Sequence, residues 1–337
     1  PVLKPETQLY ASRENTMKEL LLLRHGKSDW SAGTDDYHRP LKNRGKRGAQ
    51  RVGAWLWKQD LVPDHIISSP ATRARETAYK ASKSMGLGVA NVQLDKRLYL
   101  PSTDELLQVL RACPKTAQRV MLVGHNPSLE DLLTQLVRDA VEIPGDGKLL
   151  PTATLARLGL ECGWDAITAS CARLLSITRA SSLSKTFPYP GPDGEERRPR
   201  PAYYYRQSSV IPYRIKKGRL EILVIASSGK KHCVVPKGIH DPGLTAQESA
   251  AKEALEEAGA RGTVDDHSLG SYSQEKWGAT TQVEVYPMRV EELIPEEEWE
   301  ETHRGRQWLP AEKAIDKLKQ PALGPMIRAL SGRLKAD

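Results

Sequence analysis

The chain has 337 residues, of which 39% are hydrophobic and 27% charged, a globular balance that excludes a fibrous or wholly disordered protein and leaves room for two domains. Fifty Lys and Arg against 42 Asp and Glu leave a net charge of +8. This suits anionic partners: phosphate compounds, nucleic acid or an acidic membrane surface, without choosing among them. Nucleic acid is disfavoured, because no Lys/Arg run interleaved with aromatics accompanies the charge. The four cysteines, Cys113, Cys162, Cys171 and Cys233, form no CxxC pair, which excludes a zinc ribbon and argues against a disulfide framework. No apolar run reaches the roughly 18 residues of a membrane span, and the start lacks a signal-peptide core. A cytoplasmic protein with no membrane partner is therefore expected.

Residues 1–16 read as a disordered leader before Met17. From there the pattern alternates strand and helix. "ELLLLRHG" is a short apolar strand. "GKRGAQRVGAWLWKQ" spaces Val52, Trp55 and Leu56 as one helix face. "DHIISSP" is a second strand, "TRARETAYKASKSMG" a helix, "RVMLVGHNP" another strand and "SLEDLLTQLV" another helix. Strands alternating with helices predict an α/β domain over 17–178, a three-layer arrangement around a parallel-type sheet.

Three of these strands end in basic motifs: Arg24 and His25 after the first, Arg73 just beyond "SSP", and His125 after "MLVG". In open parallel sheets ligands gather at the carboxyl ends of strands, so these groups can meet on one anion. Guanidinium offers a planar fork to phosphate oxygens, and imidazole can attack phosphorus. In this order, Arg24-His25-Gly26, Ser69-Pro70-x-x-Arg73-Ala74-x-x-Thr77 and Gly124-His125-Asn126-Pro127 resemble the histidine phosphatase superfamily. The SixA-like phosphohistidine phosphatase branch is the nearest match, and "DDYHRPLKNRGKRGA" is similar to it as well. The resemblance implies that His25 is the nucleophile and that Arg24, Arg73 and His125 cradle the phosphoryl oxygens. Ser28 and Asn126 are further phosphate-binding candidates, and no cofactor is implied. Larger relatives carry a glutamate general acid on an insertion. Here the matching stretch is "RLYLPSTDELL", where Asp104 and Glu105 also read as an acidic first turn of a helix.

The stretch "SSLSKTFPYPGPDGEERRPRPAYYY" at 181–205 holds five prolines and a charge cluster. Residues 179–202 are therefore expected to be a semi-rigid linker. Beyond it, 203–337 is richer in strands ("RLEILVIAS", "TTQVEVYPMRV") and predicts an α+β fold with a mixed sheet and a helical end.

Between those strands lies "GLTAQESAAKEALEEAG". Thr245 with Glu248 predicts a capping box and a helix from Ala246, and Gly259 predicts its left-handed end. Glu253, Glu256 and Glu257, at i, i+3 and i+4, share one face, with Ala250, Ala254, Leu255 and Ala258 opposite. Such like charges repel, and a hard cation relieves them. Gly238 and the run Lys252-Glu253-Ala254-Leu255-Glu256-Glu257-Ala258-Gly259-Ala260 resemble the Nudix box. The likeness is closest to the diphosphoinositol and dinucleoside polyphosphate type. It implies magnesium or manganese held by Glu253, Glu256, Glu257 and the Gly238 carbonyl, with Glu256 and Glu257 serving catalysis. Leu244 and Lys252 stand where that pattern carries Glu and Arg. Lys237, Arg206 and Arg289 are candidate phosphate contacts, and Glu297, Glu298 and Glu300 candidate bases.

The expectation is a two-domain phosphohydrolase. Its first domain would act through phosphohistidine at His25, and its second would cleave a phosphoanhydride. Tethering would concentrate an intermediate shared by the two. The alternative is a phosphohistidine protein phosphatase whose divergent second domain senses a ligand or docks a partner.

Overall fold

A computed structural model describes residues 17–227, 229 and 232–336; the expected leader, 1–16, lies outside the described residues. The chain divides into two compact units, with the break between Ser184 and Lys185.

The first unit is built on β1 (Lys18–Arg24), β2 (His65–Ser68), β3 (Val92–Leu94), β4 (Arg119–Gly124), β5 (Thr154–Leu160) and β6 (Ala172–Arg179). Their order in the sheet is β3-β2-β4-β1-β5-β6. The first four run parallel. β5 and β6 are antiparallel and close one side, so the sheet is mixed at that edge. Leu20 to Leu23 of β1 are all fully buried, as a central strand covered on both faces requires. Leu20 and Leu22 pack with α3 (Thr103–Arg111) and α4 (Ser128–Leu136).

On α3, Ser102 and Glu105 form a reciprocal capping box. Glu105 is thereby engaged at the helix start, and its carboxylate also accepts from the Ser102 hydroxyl at 2.8 Å. The structural reading of that acidic turn holds.

Helices α1 (Asn43–Lys58) and α2 (Thr72–Ser84) pack tightly against each other. Glycines allow this. A Cβ on Gly53 would stand 2.2 Å from the Ala81 carbonyl oxygen of α2; at the start of α1, one on Gly45 would stand 2.3 Å from the Lys27 carbonyl oxygen in the loop after β1.

Part of the proline-rich stretch folds. β7 (Phe187–Gly191) and β8 (Gly194–Arg198) form an antiparallel hairpin belonging to the second unit. Its prolines sit on β7 of a two-stranded ribbon, where missing donors are tolerated.

The second unit holds an eight-stranded mixed sheet. It comprises β9 (Arg206–Lys216), β10 (Arg219–Ala226), β11 (Cys233–Val234), β12 (Lys237–Ile239), β13 (Ala260–Val264), β14 (Gly270–Lys276), β15 (Ala279–Leu293) and β16 (Arg306–Pro310). β9 and β15 are parallel at its centre. One face packs on α6 (Ala311–Lys317) and α7 (Leu323–Ala336) through residues such as Ile211, Val285, Ile327 and Leu330. Against Val210 and Met288 lies α5 (Ala246–Ala258), which presents Ala250 and Ala254. These small side chains bring its backbone close to the sheet. The helix begins at the expected Thr245/Glu248 capping box and ends at Gly259 with φ 57°.

Gly53→Ala should destabilise the first unit by about 1–3 kcal/mol, because overpacking against a backbone carbonyl outweighs the ~0.5–1 kcal/mol that Ala gains in a helix. Urea unfolding of the full chain checks this; an unchanged or raised midpoint contradicts it.

Candidate active sites

In the first unit the parallel strands deliver their carboxyl ends to one edge. His25 follows β1, Ser69 follows β2 and His125 follows β4. His25 N–H donates to the Gly124 carbonyl at 3.0 Å and Ser69 N–H to that of Val123 at 3.0 Å, which extends the ladder one residue past each strand. The imidazoles of His25 and His125 are thereby set 5.2 Å apart between centroids. Gly26 lies against the start of α1, where a Cβ would meet the Gly45 carbonyl oxygen at 2.7 Å. Its N–H donates to Thr77 Oγ1 at 2.9 Å.

The His25 tautomer follows from its partner. Nδ1 lies 2.7 Å from the Gly26 carbonyl oxygen, which can only accept, so Nδ1 carries the proton and Nε2 the lone pair. Burial, with the nearby Arg73, Arg24 and Arg39 charges, lowers its pKa to about 4 against the pull of the Gly26 hydrogen bond. His125 is lowered to about 3 by burial and then by its His25, Arg73 and Arg24 neighbours, with Asp36 opposing. Both rings are neutral at pH 7.

Around them lie buried nitrogens with no partner among the described residues: Arg24 Nε, Arg73 Nε, Arg39 Nε and His125 Nδ1. Such groups are costly unless a ligand completes them; His125 Nδ1 donates in the tautomer in which Nε2 accepts from the Ser69 hydroxyl. Each group is anchored through another of its nitrogens. Arg24 Nη1 donates to the Leu150 carbonyl at 2.7 Å. His125 Nε2 is 2.8 Å from Ser69 Oγ. Arg73 donates through Nη1 to the Asp36 carbonyl and through Nη2 to the Asp36 carboxylate at 2.9 Å. Asp36 also takes Tyr99 OH at 3.0 Å and Arg39 at 3.0 Å. Burial works to raise the Asp36 pKa, but Tyr99, Arg73 and Arg39 outweigh it and hold the carboxyl below its usual range.

Asn126 donates to the Leu150 carbonyl at 3.1 Å and keeps its own Oδ1 buried and unpartnered. An acceptor suits a phosphate poorly. Ser28 is buried, bridged to Leu41. Sequence reasoning gave no role to Asp36, Arg39, Tyr99 or Ser69, although all but Tyr99 lie within stretches quoted for the resemblance. Charge alone does not show which Arg a carboxylate will orient.

In the second unit α5 faces β12. Glu253 approaches so closely that a Cβ on Gly238 would stand 1.9 Å from its carboxylate oxygen. Glu257 accepts Lys237 N–H at 3.0 Å and Arg304 at 2.8 Å. Burial and the charges of Glu257 and Glu256 raise the Glu253 pKa to about 7. Burial also raises that of Glu257, against the Lys237 N–H bond and the Arg304 charge. Glu256 stands apart, paired to Lys252 at 3.7 Å. Lys252 is pulled towards the preceding loop, 3.0 Å from Asp241. Among the described residues no three His, Cys, Asp or Glu side chains gather as a metal cluster.

The chemistry at hand nevertheless fits a hard divalent cation. Two half-buried carboxylates repel one another beside the β12 backbone, in a cradle that any side chain at Gly238 would fill. Nudix domains generally use such metals.

Beside Glu257 opens a cavity of about 530 Å³, lined by Lys237, Lys276, Lys319, Arg304 and Gln274 among others. Burial lowers the Lys237 pKa to about 8, aided by Lys276 and Lys319 and opposed by Glu257 and Glu253. Arg206, at the start of β9, and Arg289, on β15, are exposed and do not line this cavity. Glu297, Glu298 and Glu300 are exposed as well, while the neighbouring Glu301 pairs with Arg304. Lys276, Lys319 and Arg304 were not foreseen, because isolated cations carry no local pattern.

The end of α5 concentrates acids where the helix dipole disfavours them. Arg306 offsets this, donating to the Ala258 and Gly259 carbonyls at 3.1 and 3.2 Å. Trp299 Nε1 donates to that of Glu256 at 3.0 Å.

No helix among the described residues is long and apolar enough to cross a membrane. The histidine phosphatase superfamily (branch 1) profile matches residues 20–99, and the NUDIX domain profile matches residues 205–330. The chain is 28% identical over 159 residues to an uncharacterized protein of Mycobacterium tuberculosis, a match covering 46% of this chain and 98% of that protein. It is 32% identical over 135 residues to Nudix hydrolase 18, mitochondrial, of Arabidopsis thaliana, covering 36% and 75%. Among solved structures, a candidate phosphohistidine phosphatase SixA from Nakamurella multipartitia is similar at 27% identity and TM-score 0.42, covering 48% and 95%. C. elegans Ap4A hydrolase is similar at 24% identity and TM-score 0.34, covering 39% and 98%. Through its two units the chain belongs to two hydrolase families: a histidine phosphatase superfamily domain is joined to a Nudix domain.

Proposed function

We propose that the chain is a bifunctional phosphohydrolase, with a phosphatase site at His25 and a magnesium-assisted phosphoanhydride site at Glu253, Glu256 and Glu257. For the first site, the observation that carries the reading is a neutral imidazole, its Nε2 lone pair free, amid buried guanidinium and imidazole nitrogens that lack partners. His25 Nε2 attacks phosphorus, the bond to the leaving oxygen or nitrogen breaks, and that atom takes the electron pair. Arg24, Arg73 and His125 hold the phosphoryl oxygens as charge spreads over them. Water then cleaves the N–P bond and frees His25. Ser28 and Asn126 border this site; Asn126 can contribute only after its amide reorients. Glu105 is engaged in its capping box and Asp36 by Arg73, so the leaving group receives little help from an acid. This favours phosphohistidine or a phosphoanhydride over an alkyl phosphate.

For the second site the carrying observation is the pairing of repelling carboxylates with a cation-lined cavity. Glu253, Glu257 and the Gly238 carbonyl would hold magnesium or manganese, with Glu256 available one turn of helix away. When bound, the metal supplies electrostatic polarisation of the phosphoanhydride. Lys237, Lys276, Lys319 and Arg304 bind the substrate's remaining charges and orient it. Nucleoside or dinucleoside polyphosphates and inositol pyrophosphates are the substrate classes of this charge. The engagement of Glu256 by Lys252 favours a second reading, in which this unit binds such a ligand without cleaving it. Phosphorylated small molecules in the cytoplasm are the partners in either case, with a phosphohistidine protein an alternative substrate of the first site.

Phosphate release from the full chain, with and without magnesium, separates these readings. His25→Ala should abolish metal-independent release from phosphohistidine and leave magnesium-dependent cleavage of polyphosphates intact. Glu257→Gln should lower the latter by about 100-fold or more, a loss typical of an essential charged group, and spare the former. Ligand binding without cleavage in wild type would instead establish the sensor reading. The His25 rate should persist from pH 7 down to about pH 5 and fall as the ring, with its pKa near 4, takes up a proton and loses its lone pair. An acid limb centred near 6.5, the unperturbed imidazole value, would contradict the buried-nucleophile account.

A further inference from the structure

The hairpin β7–β8 and the short turn Ala202–Tyr205 lie largely before the matched Nudix region, yet they grip one point of it. That point is the two-residue connection between β14 and β15, Trp277–Gly278, where Lys276 pairs with Ala279. Both connecting residues have positive φ, 54° at Trp277 and 76° at Gly278. Glycine accepts this freely. Tryptophan does not, and a bulky side chain is held there only where its surroundings impose it.

The surroundings are the hairpin segment. Tyr205, fully buried, donates its OH to the Trp277 carbonyl at 3.2 Å and accepts Arg200 N–H at 3.1 Å. Tyr204 meets the Trp277 ring edge-on at 5.0 Å. Arg198 lies over the ring of Tyr189 at 3.3 Å and within 4.8 Å of that of Tyr205, two rings set edge to face, and it donates to the Thr280 carbonyl at 3.2 Å. On the other side of the connection, Lys276 Nζ stands 4.3 Å from the Trp277 ring centroid and lines the anion cavity beside Glu257. A chain of direct contacts thus runs from the hairpin, through Tyr205 and Trp277, to a cation of the cavity.

We infer that the segment from Phe187 to Tyr205 is a working part of the second unit's site, with Tyr205 and Arg198 as positioning residues that fix Trp277 and so aim Lys276 at the bound polyphosphate. This rests on the reading of that cavity as a polyanion site. The segment stabilises the strained connection, which spares Lys276 part of the ordering cost on binding. Tyr205 and Arg198 themselves touch no substrate.

The test is binding of inorganic tripolyphosphate to the full chain by calorimetry, in a double-mutant cycle. Tyr205→Phe keeps the ring and removes only the hydroxyl. Lys276→Ala removes the cation. Each single variant should weaken binding roughly fivefold. Tyr205→Phe should add nothing further in the Lys276→Ala background, because its effect passes through that side chain. Arg198→Lys, which loses the planar guanidinium over Tyr189 but keeps the charge, should behave as Tyr205→Phe does, while Arg198→Ala should be worse. A purely structural role predicts a lower melting temperature with unchanged affinity, or losses that multiply in the double variant; either result overturns the inference alone. If wild type fails to bind tripolyphosphate, or Lys276→Ala binds it as well as wild type, the cavity reading falls and the inference with it.

Discussion

Removing a charged or polar nitrogen from water without giving it a partner costs free energy, and the phosphatase site is organised around that constraint. Desolvation keeps His25 and His125 neutral and leaves nitrogens of Arg24, Arg39, Arg73 and His125 buried and unpartnered. On the proposed reading a phosphoryl group would resolve both features at once, supplying acceptors for the unpartnered donors and an electrophile for the Nε2 of His25. The parallel sheet matters because it can bring three sequence-distant residues to one edge with backbone precision, and the buried leucines of β1 make that edge rigid.

The second unit applies the same physics with the opposite sign. Here carboxylates are desolvated and crowd together, and the group that would resolve them is a cation. Surrounding arginines manage the strain in the meantime. Arg304 reaches Glu257, and Arg306 satisfies the carbonyls at the end of α5. Lys252 illustrates the cost of replacing a fork by a point charge. It reaches Asp241 and Glu256, but it cannot hold a carboxylate in the two-point geometry that arginine offers.

Much of this was legible in the sequence where local rules apply. The strand-ending motifs, the capping box at Thr245 and Glu248, the αL residue Gly259 and the alanine face of α5 each follow from chemistry within a few residues. What was hidden depends on tertiary partners. The last two strands, β5 and β6, run antiparallel because of a pairing no periodicity encodes. The proline-rich stretch suggested a linker, yet its tyrosines and Arg198 find ring partners and a backbone carbonyl in β15 and its turn. Asp36 orients Arg73 and is held in turn by Tyr99, 63 residues away; the stretch that contains Asp36 resembles the family, but nothing local shows which partner it takes. Arg206 and Arg289 were chosen for charge; the cations that line the cavity beside Glu257, Lys276, Lys319 and Arg304, come together only through tertiary packing.

The account stands or falls on His25 as a covalent carrier. The direct measurement is mass spectrometry of the full chain after rapid quench during turnover of a phosphoramidate, with chelator present. The account predicts a single added phosphoryl group, labile to acid and stable to base, mapping to His25 and missing from His25→Ala. No adduct on His25 at any quench time, or the same adduct in His25→Ala, would contradict it.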